Sequence, residues 1–287
     1  MGTAATSRPE PVRRRRVLRL ASGSPMGIAL ALLVVLIALV GPLFAPASPS
    51  DLVGIPFQAP DSHHLLGTDF LGRDALSRVL WGGRSVLVVA VAASLLAYGV
   101  GITIGLVTGY LRSAVDPVIM RVLDVVQSFP PIILVLLLVS GAGTSIGLLI
   151  LAVALVFMPG IARLVRAATL EVSVRAYVEA ATARGERIHV ILFREILPNI
   201  TGILLADVGI RFAGAVLLGA ALSYVGLGVA PPSADWALMV SENRSGLTST
   251  PWVVLVPAAL IVALTISANL IADGVARRRS RATESET

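Results

Sequence analysis

Two ionisable residues inside an apolar stretch are the first candidates for chemistry. Asp207 and Arg211 lie in the stretch 200–228, four residues apart, so on a helix they share one face. A charge inside a bilayer is costly and usually serves a function. Two roles follow: a self-neutralised pair that faces a partner subunit, or a polar lining for the charged ends of a bound molecule. Arg121 and Asp124, three residues apart, fit a structural pair.

The composition removes several other kinds of chemistry. The chain has no cysteine, which excludes disulfides, iron–sulfur clusters and thiol catalysis. Of the three histidines only His63 and His64 are adjacent, and no acidic cluster at ligand spacing joins them, so we expect no metal site and interpret both as loop residues. The chain also has no lysine, so it cannot form a Walker A phosphate loop. We therefore expect no enzyme activity and no cofactor in this chain.

The elements that must position these residues are membrane helices. Hydrophobic residues make up 56% of the 287 residues, charged residues make up 14%, and the mean hydropathy is +0.87. Soluble domains are about a quarter charged. A spanning helix needs roughly 20 apolar residues. The pattern predicts an all-α polytopic membrane protein with six transmembrane helices, near 26–44, 86–110, 117–139, 145–166, 200–228 and 252–276.

The arginines predict the orientation of the chain. Cytoplasmic loops carry an excess of basic residues, and most arginines fall on one side of the membrane if the N-terminus is inside. This places basic tails at 1–24 and 277–287 in the cytoplasm, on either side of a transmembrane domain at 25–276. The first apolar stretch is too long for a signal-peptide core, so we interpret it as an uncleaved anchor. Basic residues placed in this way do not favour nucleic-acid binding.

Two polar segments interrupt the apolar pattern. The outer segment, 45–85, is predicted to face outward, and the inner segment, 167–198, is predicted to be cytoplasmic. Loops of this length are usually functional or disordered. In the inner segment, periodicity predicts a helix that stops at Gly185 and a second short helix, with Pro198 in the first turn of the next span.

The inner segment carries a motif with a specific spacing. Glu179-Ala180-Ala181, followed by Gly185 and Leu197-Pro198, resembles the EAA loop of permease subunits in bacterial ATP-binding-cassette importers. Arg184 and Glu195 depart from residues that are common in that loop. The resemblance implies that the segment docks on an ATPase and passes its motion into the fifth span. The residues implied in this coupling are Tyr177, Val178, Glu179, Ala180, Ala181, Gly185, Leu197 and Pro198.

Four further segments narrow the resemblance. Residues 64–74, 116–130, 221–232 and 269–274 are similar to segments of the C-type permease subunits of dipeptide and oligopeptide importers, in the peptide/nickel family. The two glycines of the first segment are expected to need positive φ or a close backbone approach. The residues implied in seating a binding protein or gating the outer mouth are Gly67, Thr68, Asp69, Gly72, Arg73 and Asp74.

The resemblance implies a type I importer permease fold with cytoplasmic EAA coupling helices, in the bacterial inner membrane. It also implies a peptide substrate and several partners: a B-type permease subunit in a heterodimer, two ATPase subunits that bind ATP and Mg, and an extracytoplasmic substrate-binding protein. A nickel importer is the main alternative, because metal and peptide permeases share these motifs. A secondary transporter would keep its own coupling-ion site and often shows inverted repeats, which are not evident here.

Overall fold

The computed structural model describes residues 23–143 and 145–284, which are mainly helical and contain no strand. The all-α prediction is confirmed for this part of the chain. Most of the predicted N-terminal tail, residues 1–22, lies outside the described residues. The predicted C-terminal tail is helical as far as Glu284, since the sequence after Gly274 contains no glycine or proline to stop the helix. The α-helices are α1 Gly23–Val40, α2 Ala75–Leu111, α3 Val115–Ser128, α4 Pro131–Ala142, α5 Ile146–Val172, α6 Ala176–Ala183, α7 Ile188–Val190, α8 Leu197–Tyr224, α9 Trp236–Glu242 and α10 Trp252–Glu284.

Within the described residues, five helical stretches are long and apolar enough to cross a membrane. The third predicted span, 117–139, is wrong as a single continuous helix, because Val115–Ser128 and Pro131–Val139 meet at 92°. The number of spans is therefore five, or six if this bent pair is one broken span. The five stretches are Pro25–Phe44, Ala75–Leu111, Ile146–Val172, Ile188–Tyr224 and Trp252–Val275.

Two prolines explain the break between α3 and α4. A proline disfavours the helical conformation of the residue before it and has no N–H to donate. Phe129 precedes Pro130, which precedes Pro131, and both Phe129 and Pro130 have ψ of 133°. Pro131 then occupies the first turn of α4, where a missing N–H costs nothing. Because the residues on both sides of this break are mostly apolar, the sequence pattern predicted one helix where the structure has two.

Two other spans have bounds that differ from the prediction. α2 begins well before residue 86, because the Asp74 carboxylate caps it by accepting a hydrogen bond from the Ser77 amide at 2.7 Å. Residues 75–85 of the outer segment are therefore helical. α8 ends at Tyr224, before residue 228, because Gly226 has φ of +85° and turns the chain out of the helix.

The packing of α2 against α5 forms the centre of the bundle. On α2, Gly101, Gly105 and Gly109 face α5, and a Cβ added at Gly105 would lie 2.5 Å from the Val165 side chain. Small residues four apart allow membrane helices to approach closely. α8 in turn contacts α2, α5, α9 and α10. The candidate charges of α8 are thus carried by a helix that packs on four others.

Candidate functional site

The outer segment folds back on itself around two glycines. Gly67 and Gly72 have φ of +75° and +83°, which favours glycine. A Cβ at Gly67 would lie 2.3 Å from the Gln58 carbonyl oxygen, and one at Gly72 would lie 2.1 Å from that of Gly54. The expectation of positive φ and close backbone approach is confirmed at both positions.

Four buried charges fix this fold to a distant part of the chain. The Asp69 carboxylate lies 2.6 Å from Arg73 Nε and 3.4 Å from Arg78 Nε, and the Glu242 carboxylate lies 3.2 Å from Arg73 Nη2 and 2.9 Å from Arg78 Nη2. Two acids and two bases leave no net charge. Burial raises the pKa of the Glu242 carboxyl, and the two guanidinium groups oppose that rise. We call these four residues the outer charge network.

The other predicted residues of the outer segment are also internal. The Thr68 hydroxyl donates to the Ile55 carbonyl at 2.6 Å, and Asp74 accepts hydrogen bonds from Ser77 while its second oxygen lies 3.2 Å from His64 Nδ1. His64 is therefore tied to the start of α2 and is more than a free loop residue. Thr68, Asp69, Arg73 and Asp74 are all at most 2% exposed. The exposed surface of the segment includes large apolar side chains, among them Leu52, Ile55 and Leu65.

The helix stop predicted in the inner segment is confirmed. α6 ends before Gly185, which has φ of +75°. The Gly185 amide donates to the Thr182 carbonyl at 2.9 Å, and the Glu186 amide donates to the Ala181 carbonyl at 3.2 Å. These two bonds form a Schellman motif, which satisfies carbonyl groups at the end of a helix.

The candidate coupling residues divide into two faces of α6. Val178 and Ala181 are at most 1% exposed and belong to the same buried cluster as Ile191 and Ile196. These two side chains pack α6 against that cluster. The remaining α6 candidates form the free face of the helix: Tyr177, Glu179 and Ala180.

The inner segment runs into the membrane without a break. The chain is helical from Ile188 to Tyr224 and includes a π-helical stretch at Ile191–Ile196. Here the Leu197 amide donates to the Leu192 carbonyl, five residues back. Pro198 occupies the first turn of α8, as predicted. A π stretch inside a helix often marks a functional position.

The charged pair inside the membrane has a third member that the sequence did not indicate. Asp207 and Arg211 form an ion pair, and their side chains are 18% and 23% exposed. The Tyr98 hydroxyl of α2 donates to the same Asp207 oxygen at 2.6 Å. The guanidinium of Arg211 lies over Gly160 of α5, since a Cβ there would be 2.6 Å from Nη1. The group therefore joins α8 to α2 and α5.

The predicted pair of Arg121 with Asp124 is wrong. Asp124 lies 3.4 Å from Arg163 of α5, and Asp116 lies 2.6 Å from Arg166. Because both acids of α3 face α5, Arg121 is left on the exposed side of the helix. Spacing along one helix could not reveal this competition from another helix.

Comparisons with known proteins agree with this architecture. A family model described as "binding-protein-dependent transport system inner membrane component" matches residues 101–281. The glutathione transport system permease protein of Pectobacterium atrosepticum is 36% identical over 76% of this chain and 72% of its own length. The dipeptide transport system permease protein of Alkalihalophilus pseudofirmus is 33% identical over 87% of this chain and 83% of its own length.

A solved structure is similar in fold. A chain of the inward-facing MetNI methionine ABC transporter superposes with a TM-score of 0.56 at 20% identity, covering 69% of this chain and 94% of that one. This likeness supports the type I importer permease fold that the sequence predicted. Together with the family match and the relatives, it leads to one conclusion: the chain belongs to the family of inner-membrane components of binding-protein-dependent transport systems.

Proposed function

We propose that this chain is the C-type permease subunit of an ATP-driven importer of dipeptides or oligopeptides. One observation carries the proposal: relatives that are 33–36% identical over most of the chain are named for transport of dipeptides, peptides or glutathione, which is itself a peptide. A nickel importer has less support, because these relatives are named for peptides.

The exposed face of α8 supports assembly with a second permease subunit of B type. Ile203, Ile210, Leu217 and Tyr224 are seven residues apart and are each 42–63% exposed. A narrow apolar seam of this period suits packing against another helix. Asp207 belongs to the adjacent row, which leaves both earlier interpretations open: a pair that faces the partner, or a polar part of the pathway.

The free face of α6 supports docking on an ATPase. Tyr177, Glu179 and Ala180 point away from the chain, while Val178 and Ala181 hold the helix from behind. Motion of α6 would pass through the continuous helix Ile188–Tyr224 into the membrane. In this proposal the partner subunits bind ATP and Mg and hydrolyse ATP, and a binding protein delivers peptide to the exposed outer segment.

Peptide uptake tests the function directly. Deletion of the gene in its host should abolish growth of an amino-acid auxotroph on a dipeptide that supplies the missing residue, and the intact gene should restore it. Growth on the free amino acid is the control. Normal dipeptide uptake without this chain, together with reduced nickel uptake, would contradict the proposal.

Cysteine crosslinking tests the coupling surface and the orientation. The chain has no cysteine, so a single one can be placed at Glu179 or Ala180 and crosslinked to the ATPase, with the buried Val178 as the matched control. We expect adducts at 179 or 180 and few at 178.

A cysteine at the exposed Ile55 should react with an impermeant reagent in intact cells, whereas one at Ala180 should not. The reverse labelling pattern would overturn the orientation.

A further inference from the structure

The arginines near the outer end of α2 differ in how their charges are balanced. Arg73 and Arg78 each lie within 4 Å of two carboxylates in the outer charge network. For Arg84, no carboxylate lies within 4.0 Å among residues 23–143 and 145–284; its Nη2 donates to the Leu39 carbonyl at 2.9 Å. The charge of its guanidinium is therefore not balanced by a carboxylate among these residues, and further N–H donors remain for a ligand.

Arg84 borders a cavity of about 410 Å³. α2 contributes Arg84 and Ser85 to its wall, the start of α5 contributes Ile146, and the loop after α8 contributes Val229 and Ser233. This volume lies in the range of roughly 300–1,000 Å³ that is usual for small-molecule pockets. The lining is mostly apolar, which is the usual setting for a few orienting polar groups.

The guanidinium is also held in place at the cavity. Its carbon lies 5.1 Å from the centre of the Trp81 ring, one turn earlier on α2. Stacking on an aromatic ring and the bond to Leu39 fix the planar group, so less side-chain entropy is lost when it binds a ligand. The exposed Ser233 side chain lines the same cavity. An arginine that is fixed in this way, with no carboxylate beside it among the described residues, matches the two oxygens of a bound carboxylate.

We propose that this cavity is a subsite for the C-terminal residue of a peptide, in which Arg84 binds the α-carboxylate and the apolar lining receives the last side chain. This inference rests on the proposed function. The charge complementarity selects a free carboxylate over an amide, because the amide carries no charge. A peptide that has left the binding protein would meet Arg84 at the outer ends of α2 and α5.

The first test measures the electrostatic field in the cavity by a method that does not depend on transport. In the assembled complex, a Ser233→Cys variant is labelled with an anionic sulfonate and a cationic ammonium methanethiosulfonate. We expect the anionic reagent to react faster, and the preference to fall about threefold or more when Arg84→Gln is added. Arg84→Lys should keep the preference. The control is Arg244→Gln, an exposed arginine that does not line the cavity. Labelling by neutral iodoacetamide checks that each variant retains an open cavity.

The second test uses dialanine and its C-terminal amide to protect the thiol of the Ser233→Cys variant from labelling. Dialanine should protect this thiol when Arg84 is unaltered, whereas the amide should not. Arg84→Gln should raise the half-protecting concentration of dialanine about tenfold or more, the range expected when a charge-assisted hydrogen bond is lost. Equal protection by both compounds, or no effect of Arg84→Gln on either test, would overturn the subsite. Failure of dipeptide uptake in the unaltered complex would instead count against the proposed function, because the charge preference of labelling does not depend on uptake.

Discussion

The outer and inner segments are both polar interruptions of an apolar chain, but they are stabilised in different ways. The outer segment is fixed by buried charges and by carbonyl oxygens that approach Gly67 and Gly72. The inner segment rests on apolar contacts through Val178 and Ala181, and its acidic and basic side chains are mostly exposed. A segment with its polar groups satisfied internally suits a rigid platform. One with an exposed charged face suits a contact completed by another subunit.

The outer charge network should show the largest effect on stability. Asp69→Asn removes one of two negative charges and leaves Arg73 and Arg78 to share Glu242. Breaking a buried ion pair typically costs about 3–5 kcal/mol. We expect a large fall in the melting temperature of the purified complex in detergent. Asp51→Asn, at an exposed position of the same segment, is the matched control. Equal melting temperatures for the two variants would contradict the rigid-platform interpretation.

Gly72→Ala tests the close backbone approach in the same segment. The new Cβ would lie 2.1 Å from the Gly54 carbonyl oxygen at φ of +83°, so strain and overlap act together. We expect a loss of about 2–5 kcal/mol in the free energy of unfolding. Gly99→Ala is the control, because nothing lies within 4 Å of a Cβ there and its φ is ordinary. A smaller loss at Gly72 than at Gly99 would show that the backbone around Gly72 moves away from Gly54 easily.

The group formed by Tyr98, Asp207 and Arg211 lies between the outer and inner segments in the burial of its charges, because Asp207 and Arg211 are paired but about one fifth exposed. Asp207→Ala should leave Arg211 without its carboxylate and reduce assembly, at a cost of about 1–3 kcal/mol. If the pair is structural, Asp207→Leu/Arg211→Leu should recover assembly and uptake; if it lines the pathway, the double variant should assemble but transport poorly. Tyr98→Phe should cost about 1 kcal/mol. Normal assembly and uptake in both Asp207→Ala and Arg211→Ala would exclude both roles.

Sequence reasoning predicted features that depend on neighbours along the chain. Gly67, Gly72 and Gly185 were predicted from local motifs, and the pairing of Asp207 with Arg211 from helical spacing. It missed partners supplied by distant elements: Glu242 lies 164 residues from Arg78, and Tyr98 lies 109 residues from Asp207. It also gave Asp124 the wrong partner, because spacing shows only Arg121 on the same helix, whereas Arg163 reaches Asp124 through the packing of α3 against α5. Whether Arg84 has a carboxylate partner also depends on distant elements, and none lies within 4.0 Å of it in the part of the chain that the structure describes.

The most local effect is expected at Gly185, the counterpart of Gly72 in the inner segment. Its φ is +75°, but nothing lies within 4 Å of an added Cβ, so Gly185→Ala pays only the backbone strain of about 1–2 kcal/mol. We expect little change in the melting temperature of the complex and about tenfold faster amide hydrogen exchange at the end of α6. Asn tolerates the left-handed region, so Gly185→Asn should restore much of the protection.

Gly72→Asn should not restore stability, because its Cβ still overlaps the Gly54 carbonyl. If Asn rescues both positions, backbone strain alone governs both segments and their difference lies only in the buried charges. If Asn rescues Gly185 alone, the outer segment is held by close backbone contact and the inner segment by the left-handed conformation at Gly185. In that case, peptide uptake in the Gly185 variants should correlate with amide hydrogen exchange in α6 more closely than with the melting temperature of the complex.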